Sequence, residues 1–243
     1  MQLNCDLGES YGNWHMGHDA AVMPYIDQAN IACGFHAGDP LTMRNTLALA
    51  AQHGVAIGAH PAYPDIVGFG RRSMTLSRDE IIACLHYQVS ALEGMAQSQG
   101  LALSYVKPHG ALYHDMMAQD GVRAAIFHAM GSYHRPMTLM MQSTLQADGH
   151  REEAKAAGIQ LLFEAFADRC YGDDGSLVRR SQPDAVHDRE RMLAQVQQLR
   201  RDSTVTSVSG HIIALQVDTL CVHGDNPESV QSIEAIRALV DGG

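Results

Sequence analysis

Ala29-Asn30-Ile31-Ala32-Cys33-Gly34-Phe35-His36-Ala37-Gly38-Asp39-Pro40 is the stretch that decides how this chain is read. It begins as an apolar run and ends in a glycine-rich turn that carries His36 and Asp39. A helical pattern follows over 41–53, with Asp39 available as N-cap and Pro40 at the first helical position. Strand, polar turn, helix is the unit by which an α/β protein delivers reactive side chains to the carboxyl edge of its sheet.

The unit recurs on both sides. Upstream, residues 2–7 read as a first strand with Asn4 and Asp6 on one face and Leu3, Cys5 and Leu7 on the other. A polar face inside a core is costly without partners, so Asn4 and Asp6 are expected to face a polar cavity. A strand over 25–33 follows an irregular tract. Downstream, residues 55–60 form a short buried strand ending in His60, and the loop 61–72 carries Arg71 and Arg72 beside glycines, a pair suited to an anion. A helix over 77–99 opens with the capping-box residues Ser77 and Glu80. The strand 103–110 puts Lys107 and His109 on one face, and Pro108 marks its end because proline cannot donate to a sheet ladder. A helix over 119–131, a weak strand over 136–141 and a helix over 143–157 come next. The strand 159–168 aligns Glu164, Phe166 and Asp168, followed by Arg169. After a polar loop come a helix over 184–201, a hairpin about Ser209-Gly210 and a last strand over 218–222 that leads into His223 and Asp225. A helix over 228–240 closes the chain. The alternation predicts about seven strands in one βα-barrel domain over 1–243, with no composition break.

Composition narrows the function. The net charge of −10 argues against a nucleic-acid or anionic-membrane surface, and no apolar run approaches a membrane span. The five cysteines form no CxxC pair and no leader pattern is visible, so reduced thiols and a cytoplasmic location are expected. There is no phosphate loop, dinucleotide fingerprint or nucleophile elbow. Instead the strand ends deliver Asp6, His36, His60, His109, Asp168 and His223, which a barrel gathers on one face. Asp6 with His36, His60 or His109 would make a divalent-metal set, although no closely spaced HxxxH pair supports it. The metal-free alternative, favoured here, uses Asp6 or a histidine as base and Lys107 as a cation for an oxyanion or carboxylate.

Eight motifs in order then carry a resemblance: NCDLGES from Asn4, ANIACGFHAGDP from Ala29, GAHPAYPD from Gly58, GFGRR from Gly68, VKPHGALY from Val106, FADRCY from Phe166, RSQ from Arg180 and CVHGD from Cys221. Together they resemble the LamB/YcsF family over nearly the whole chain. The resemblance implies a distorted (β/α)7 TIM-like barrel similar to the glycoside hydrolase/deacetylase barrels. It also implies a 5-oxoprolinase component, with ATP-dependent opening of 5-oxo-L-proline to L-glutamate alongside two partner subunits, B and C; since the chain lacks a phosphate loop, ATP binding is expected to need the partners or a non-standard site. The motif residues are Asp6, Glu9, Asn30, His36, Asp39, His60, Arg71, Lys107, His109, Asp168, Arg169, His223 and Asp225. Joined to the strand pattern, they give a catalytic set of Asp6, His36, His60, Lys107 and His109. The substrate-binding set is Asn4, Glu9, Asn30, Asp39, Arg71, Tyr113, Asp168, Arg169, His223 and Asp225. No metal ligand is assigned, a divalent metal stays open, and so does a homo-oligomer. The chain departs from the family at His114, where asparagine is frequent, over 131–157, and at a shortened 184–188. The alternatives are a stand-alone metal-dependent amidohydrolase or deacetylase on the same barrel, and a non-catalytic lactam-binding subunit.

Overall fold

Short apolar runs between helices are what a parallel sheet covered on both sides requires, and the computed structural model of this protein builds them into a closed barrel. It describes residues 1–179, 182–183, 185–223 and 227–242. In chain order the elements are β1 (Gln2–Leu7), α1 (Asp19–Val22), a 3-10 turn (Met23–Tyr25), β2 (Gln28–Ala32), α2 (Pro40–His53), β3 (Ala56–His60), α3 (Arg78–Gln97), β4 (Leu103–Val106), α4 (Gly110–Ala118) and α5 (Asp120–Gly131). They continue with β5 (Thr138–Gln142), α6 (Ala147–Ala156), β6 (Leu161–Phe166), α7 (Arg189–Asp202), β7 (Thr204–Thr206), β8 (Ile212–Ala214), β9 (Thr219–Cys221) and α8 (Pro227–Asp241).

The barrel runs β1-β2-β3-β4-β5-β6-β9, seven strands, and β9 closes it by pairing in parallel with both β6 and β1. The expected hairpin exists as β7–β8, antiparallel and outside the barrel. Register fixes which side chains share a level: Asp6 lies opposite Asn30, Ala32 opposite His60, and Phe166 opposite Cys221. Local signals set the ends of two helices. Asp39 caps α2 by accepting from the Leu41 and Thr42 amides, and Ser77 with Glu80 forms the capping box of α3.

One sequence expectation is corrected. The strand expected over 103–110 ends at Val106, and α4, absent from the sequence reading, starts at Gly110. Pro108 breaks the ladder, and Gly110 takes a φ of +54° at the helix entry, where an added Cβ would stand 2.6 Å from the Gly70 carbonyl oxygen. Lys107 and His109 therefore leave the barrel rim on an irregular turn. Gly58 serves packing instead: a Cβ there would stand 2.2 Å from the Tyr105 ring, which crosses the barrel interior.

Candidate active site

The barrel interior is polar just below its carboxyl mouth. Asn30 Nδ2 donates to Asn4 Oδ1 and to Asp6 Oδ1, both at 2.8 Å, and the Tyr105 hydroxyl donates to Asn30 Oδ1 at 2.6 Å. Asn4 Nδ2 donates to Thr219 Oγ1 at 3.0 Å, which ties the first strand to the last. Lys107 Nζ is buried at the centre, 3.0 Å from Asp6 Oδ1, 3.0 Å from Glu164 Oε2, 3.2 Å from Asn4 Oδ1 and 3.3 Å from Cys221 Sγ. Burial works against the ammonium, but Asp6, Cys221 and Glu164 outweigh it and raise its pKa well above the usual lysine value. The other Glu164 oxygen accepts from the Tyr113 hydroxyl at 2.7 Å.

Above this floor lies a knot of histidines. His60 Nδ1 faces the Lys107 carbonyl oxygen at 2.7 Å, and His109 Nε2 faces the Phe69 carbonyl oxygen at 2.9 Å. A carbonyl only accepts, so both of those nitrogens carry hydrogen. The remaining ring nitrogens, His60 Nε2 and His109 Nδ1, are 3.0 Å apart. Asp6 Oδ2 is 3.4 Å from His60 Nε2, while Glu9 Oε1 is 3.3 Å from His109 Nδ1 and 3.1 Å from His36 Nε2. His36 and His109 stack face to face at 3.8 Å, and His60 stands edge-on to both.

Charge follows from these contacts. Burial raises the Asp6 carboxyl, but His60 and Lys107 overcome that and hold it well below the ordinary carboxylate range. Burial also disfavours charge on His60, and the Asp6 carboxylate reverses this, so its pKa moves up. His36 and His109 go well down, first through burial and then through the neighbouring histidines. Of the three rings, His60 is the one whose surroundings favour the charged form.

These groups open onto a cavity of about 790 Å³ lined also by Arg71, Tyr113, Phe166, Arg169 and His223. That volume is in the range of small-molecule sites. On its far wall His223 Nδ1 is 2.8 Å from Asp168 Oδ1, and the His223 ring stacks on Phe166. Arg169 donates to the Val178 and Ala185 carbonyls, bracing the loop between β6 and α7. Arg71 lies at the rim over the Phe69 ring, whereas Arg72 pairs with Asp65 outside the cavity.

The structure brings together Asp6, Glu9, His60, Lys107, His109, Arg71, Tyr113, Arg169 and His223 as lining residues. It does not bring all the expected ones to the wall. Asn4 and Asn30 are fully buried beneath it, where they orient Asp6 and Lys107. His36 sits behind Glu9, and Asp168 behind His223. Asp39 is spent on the α2 cap and on the Gly12 amide, away from the cavity. Lys107, expected to meet a substrate carboxylate, is already engaged by Asp6, Glu164 and Asn4. Asp225 lies outside the described residues, as do Arg180 and Ser181 of the RSQ motif and Asp184. The sequence reading missed Cys221 and Glu164 as members of the site. The alternation of β6 had already put Glu164 on the inward face, while a lone cysteine in an apolar strand gave no signal.

Among the described residues, two groups of side chains offer metal-ligand atoms within 4.8 Å of one another: Glu9 with His36, His60 and His109, and Asp6 with Cys221 and His223. The first group is close enough to share one ion, whereas Lys107 Nζ already stands between Asp6 and Cys221 in the second.

Comparison with known proteins agrees along the whole chain. The LamB/YcsF family model matches residues 1–242. A protein of Chromohalobacter salexigens, named as the A subunit of 5-oxoprolinase, is 52% identical over 241 residues, 99% of this chain and 96% of that one. Its namesake in Pseudomonas fluorescens is 52% identical over 240 residues, 98% of this chain and 96% of the relative. Among solved structures, the lactam utilization protein of Thermus thermophilus superposes with a TM-score of 0.91 at 38% identity, covering 99% of this chain and 96% of that one.

Proposed function

This chain belongs to the LamB/YcsF family, and from that premise we propose that it is the A subunit of an ATP-hydrolysing 5-oxoprolinase. In this reading it is one barrel domain over 1–243, works in the cytoplasm, and opens 5-oxo-L-proline to L-glutamate together with the partner subunits, B and C. The observation that carries the reading is the end-to-end match to relatives of that name at about half of all positions.

The cavity supplies what such a reaction asks for. Water must add to the lactam carbonyl carbon, the C–N bond must break, and the nitrogen must take a proton. Arg71 at the rim, with Arg169 deeper in, provides the cations for the substrate carboxylate. His223, aligned through Nδ1 by Asp168, is the acid/base group. Asp6 is too strongly ionised to be an effective base near neutrality. It acts instead as a fixed anion beside the reacting amide, and Lys107 holds it there. The chain has no phosphate loop, so ATP is engaged in the assembled subunits, where a phosphoryl group transferred to the lactam oxygen would activate the stable amide.

The test is glutamate release from 5-oxoproline with ATP, using the purified chain alone and then with the B and C subunits of a related system. Activity only in the mixture is the expected result. Amide hydrolysis by the lone chain without ATP would favour a metal-dependent amidohydrolase, the second reading, for which the Glu9–histidine knot is the specific observation. No release in either case would overturn the assignment of substrate.

A further inference from the structure

The histidine knot packs several metal-ligand atoms close together. With hydrogen on His60 Nδ1 and His109 Nε2, fixed by the Lys107 and Phe69 carbonyls, the neutral rings point two lone pairs at each other across 3.0 Å. Glu9 Oε1 faces His109 Nδ1 at 3.3 Å, and Asp6 Oδ2 faces His60 Nε2 at 3.4 Å. A proton on His60 Nε2 eases the nitrogen–nitrogen contact and Lys107 Nζ, 3.0 Å from Asp6 Oδ1, offsets that carboxylate, yet His60 Nε2, His109 Nδ1 and Glu9 Oε1 all lie within 4.0 Å of one another. One proton on His60 Nε2 points along one of these contacts at a time; a divalent ion satisfies several at once.

We infer that His60 Nε2, His109 Nδ1 and Glu9 form a three-ligand site for a zinc-class divalent cation at the floor of the cavity. Ligand atoms 2.0–2.2 Å from zinc at tetrahedral angles stand roughly 3.3–3.6 Å apart, and the separations here are 3.0, 3.3 and 4.0 Å. The two histidines are edge-on at 86°, an arrangement in which the two ring planes cross and one ion can lie in both. His36 is a poorer ligand although it is equally near: its ring is parallel to His109 within 3°, and two stacked rings cannot both aim a lone pair at one ion. It serves instead to hold Glu9, at 3.1 Å.

The surroundings match the outer shell of a metal centre, in which each ligating histidine gives its other N–H to a carbonyl or carboxylate. Phe69 adopts the left-handed conformation, φ 53°, in the turn that presents its carbonyl to His109. The next residue, Gly70, leaves room for the stack: a Cβ there would stand 2.9 Å from both His109 Cδ2 and His36 Cβ. Glu9, His60 and His109 line the cavity, so an ion held by them would be reachable by whatever enters it. This geometry supports the site whatever the substrate is.

The experiment is calorimetric titration of zinc into the chelator-treated full chain, with cobalt(II) absorption as a second readout. One saturable equivalent is expected, with the visible bands of a low-coordinate cobalt site. Glu9→Gln and His109→Gln should each weaken binding at least tenfold and change the cobalt bands, as should His60→Gln. His36→Ala should keep the stoichiometry and weaken binding by roughly ten- to a hundredfold, as loss of an outer-shell partner does. Circular dichroism identifies any variant that fails to fold, and Glu9→Gln, nearly isosteric, carries the test if a histidine variant does. The proposal is overturned if no saturable site appears, or if binding survives unchanged in Glu9→Gln with His109→Gln, which would move the ion to surface histidines such as His15 or His211.

Discussion

The two halves of the barrel mouth are built differently. At the ends of β1 to β4 the ionisable side chains touch one another directly: Lys107 with Asp6, His60 with His109, His36 with Glu9, all within 3.1 Å. At the ends of β5, β6 and β9 they do not form such a knot among the described residues. There β5 ends in Gln142, which bonds a loop carbonyl, and the Asp168–His223 pair stands against Phe166. The first half is one electrostatic unit in which every group sets its neighbour's charge. The second joins that unit through Glu164 and Cys221, which meet Lys107, and otherwise presents a wall with one dyad and a long loop. Direct contact in a buried polar network makes a cluster costly to cut, whereas a dyad held by one hydrogen bond against an aromatic ring has fewer partners to lose.

Substitutions can break this contrast. The largest effect is expected on turnover from the second half: His223→Gln should lower kcat of the assembled enzyme by about 10²–10⁴ with little change in the unfolding midpoint. A large loss of stability would show that the dyad is part of the framework after all. Lys107→Met should do the reverse, leaving Asp6 and Glu164 uncompensated in a buried site. Removing one partner of a buried pair costs about 3–5 kcal/mol, readable as a lower urea midpoint. A loss below about 1 kcal/mol would mean that water or a proton replaces the ammonium without cost. Gly58→Ala forces the Tyr105 ring off its place over β3. About 1–3 kcal/mol is expected from such overpacking, and because the Tyr105 hydroxyl orients Asn30, turnover should fall with it.

The halves also differed in how legible they were. Period-two alternation was enough to place Asn4, Asp6 and Glu164 inward, because a strand fixes facing whatever its partners are. The polar turns after β2 and β9 marked His36 and His223, and His60 was marked by ending β3. What alternation could not give was depth. Asn30 and Asp6 are opposite one another in register, yet one is sealed in the floor and the other opens to the cavity. Nor could it show that Lys107 is saturated, since its partners come from β1, β6 and β9, up to 114 residues away. The helix α4 escaped because Lys107-Pro108-His109-Gly110 reads locally as the end of a strand, and only the Gly70 loop packed against it explains why the chain turns there.

Asp39 sharpens the comparison from the edge of the first half, because it belongs to the same motif as His36 but stays out of the knot. Its carboxylate accepts from the Gly12, Leu41 and Thr42 amides and the Thr42 hydroxyl, and the first-named bond leads in lowering its pKa to about 2. An unfolded aspartate titrates near ~3.9. A carboxyl depressed in the folded state contributes stability that is complete above the unfolded value and is lost as pH falls through the folded one. The window for this cap therefore runs from about pH 4 down to about pH 2. Because the side chain is partly exposed, solvent screening holds the effect near an ordinary N-cap, about 1 kcal/mol. Asp39→Ala should thus cost about that much at neutral pH, and the gap to the parent should shrink as the pH falls through that window. Asp39→Asn, which keeps an accepting oxygen, should lose less and show a weaker pH dependence. If Asp39→Ala instead abolished turnover while leaving the unfolding midpoint in place, Asp39 would belong with the knot, and the line between site and shell would have to be redrawn one residue further out.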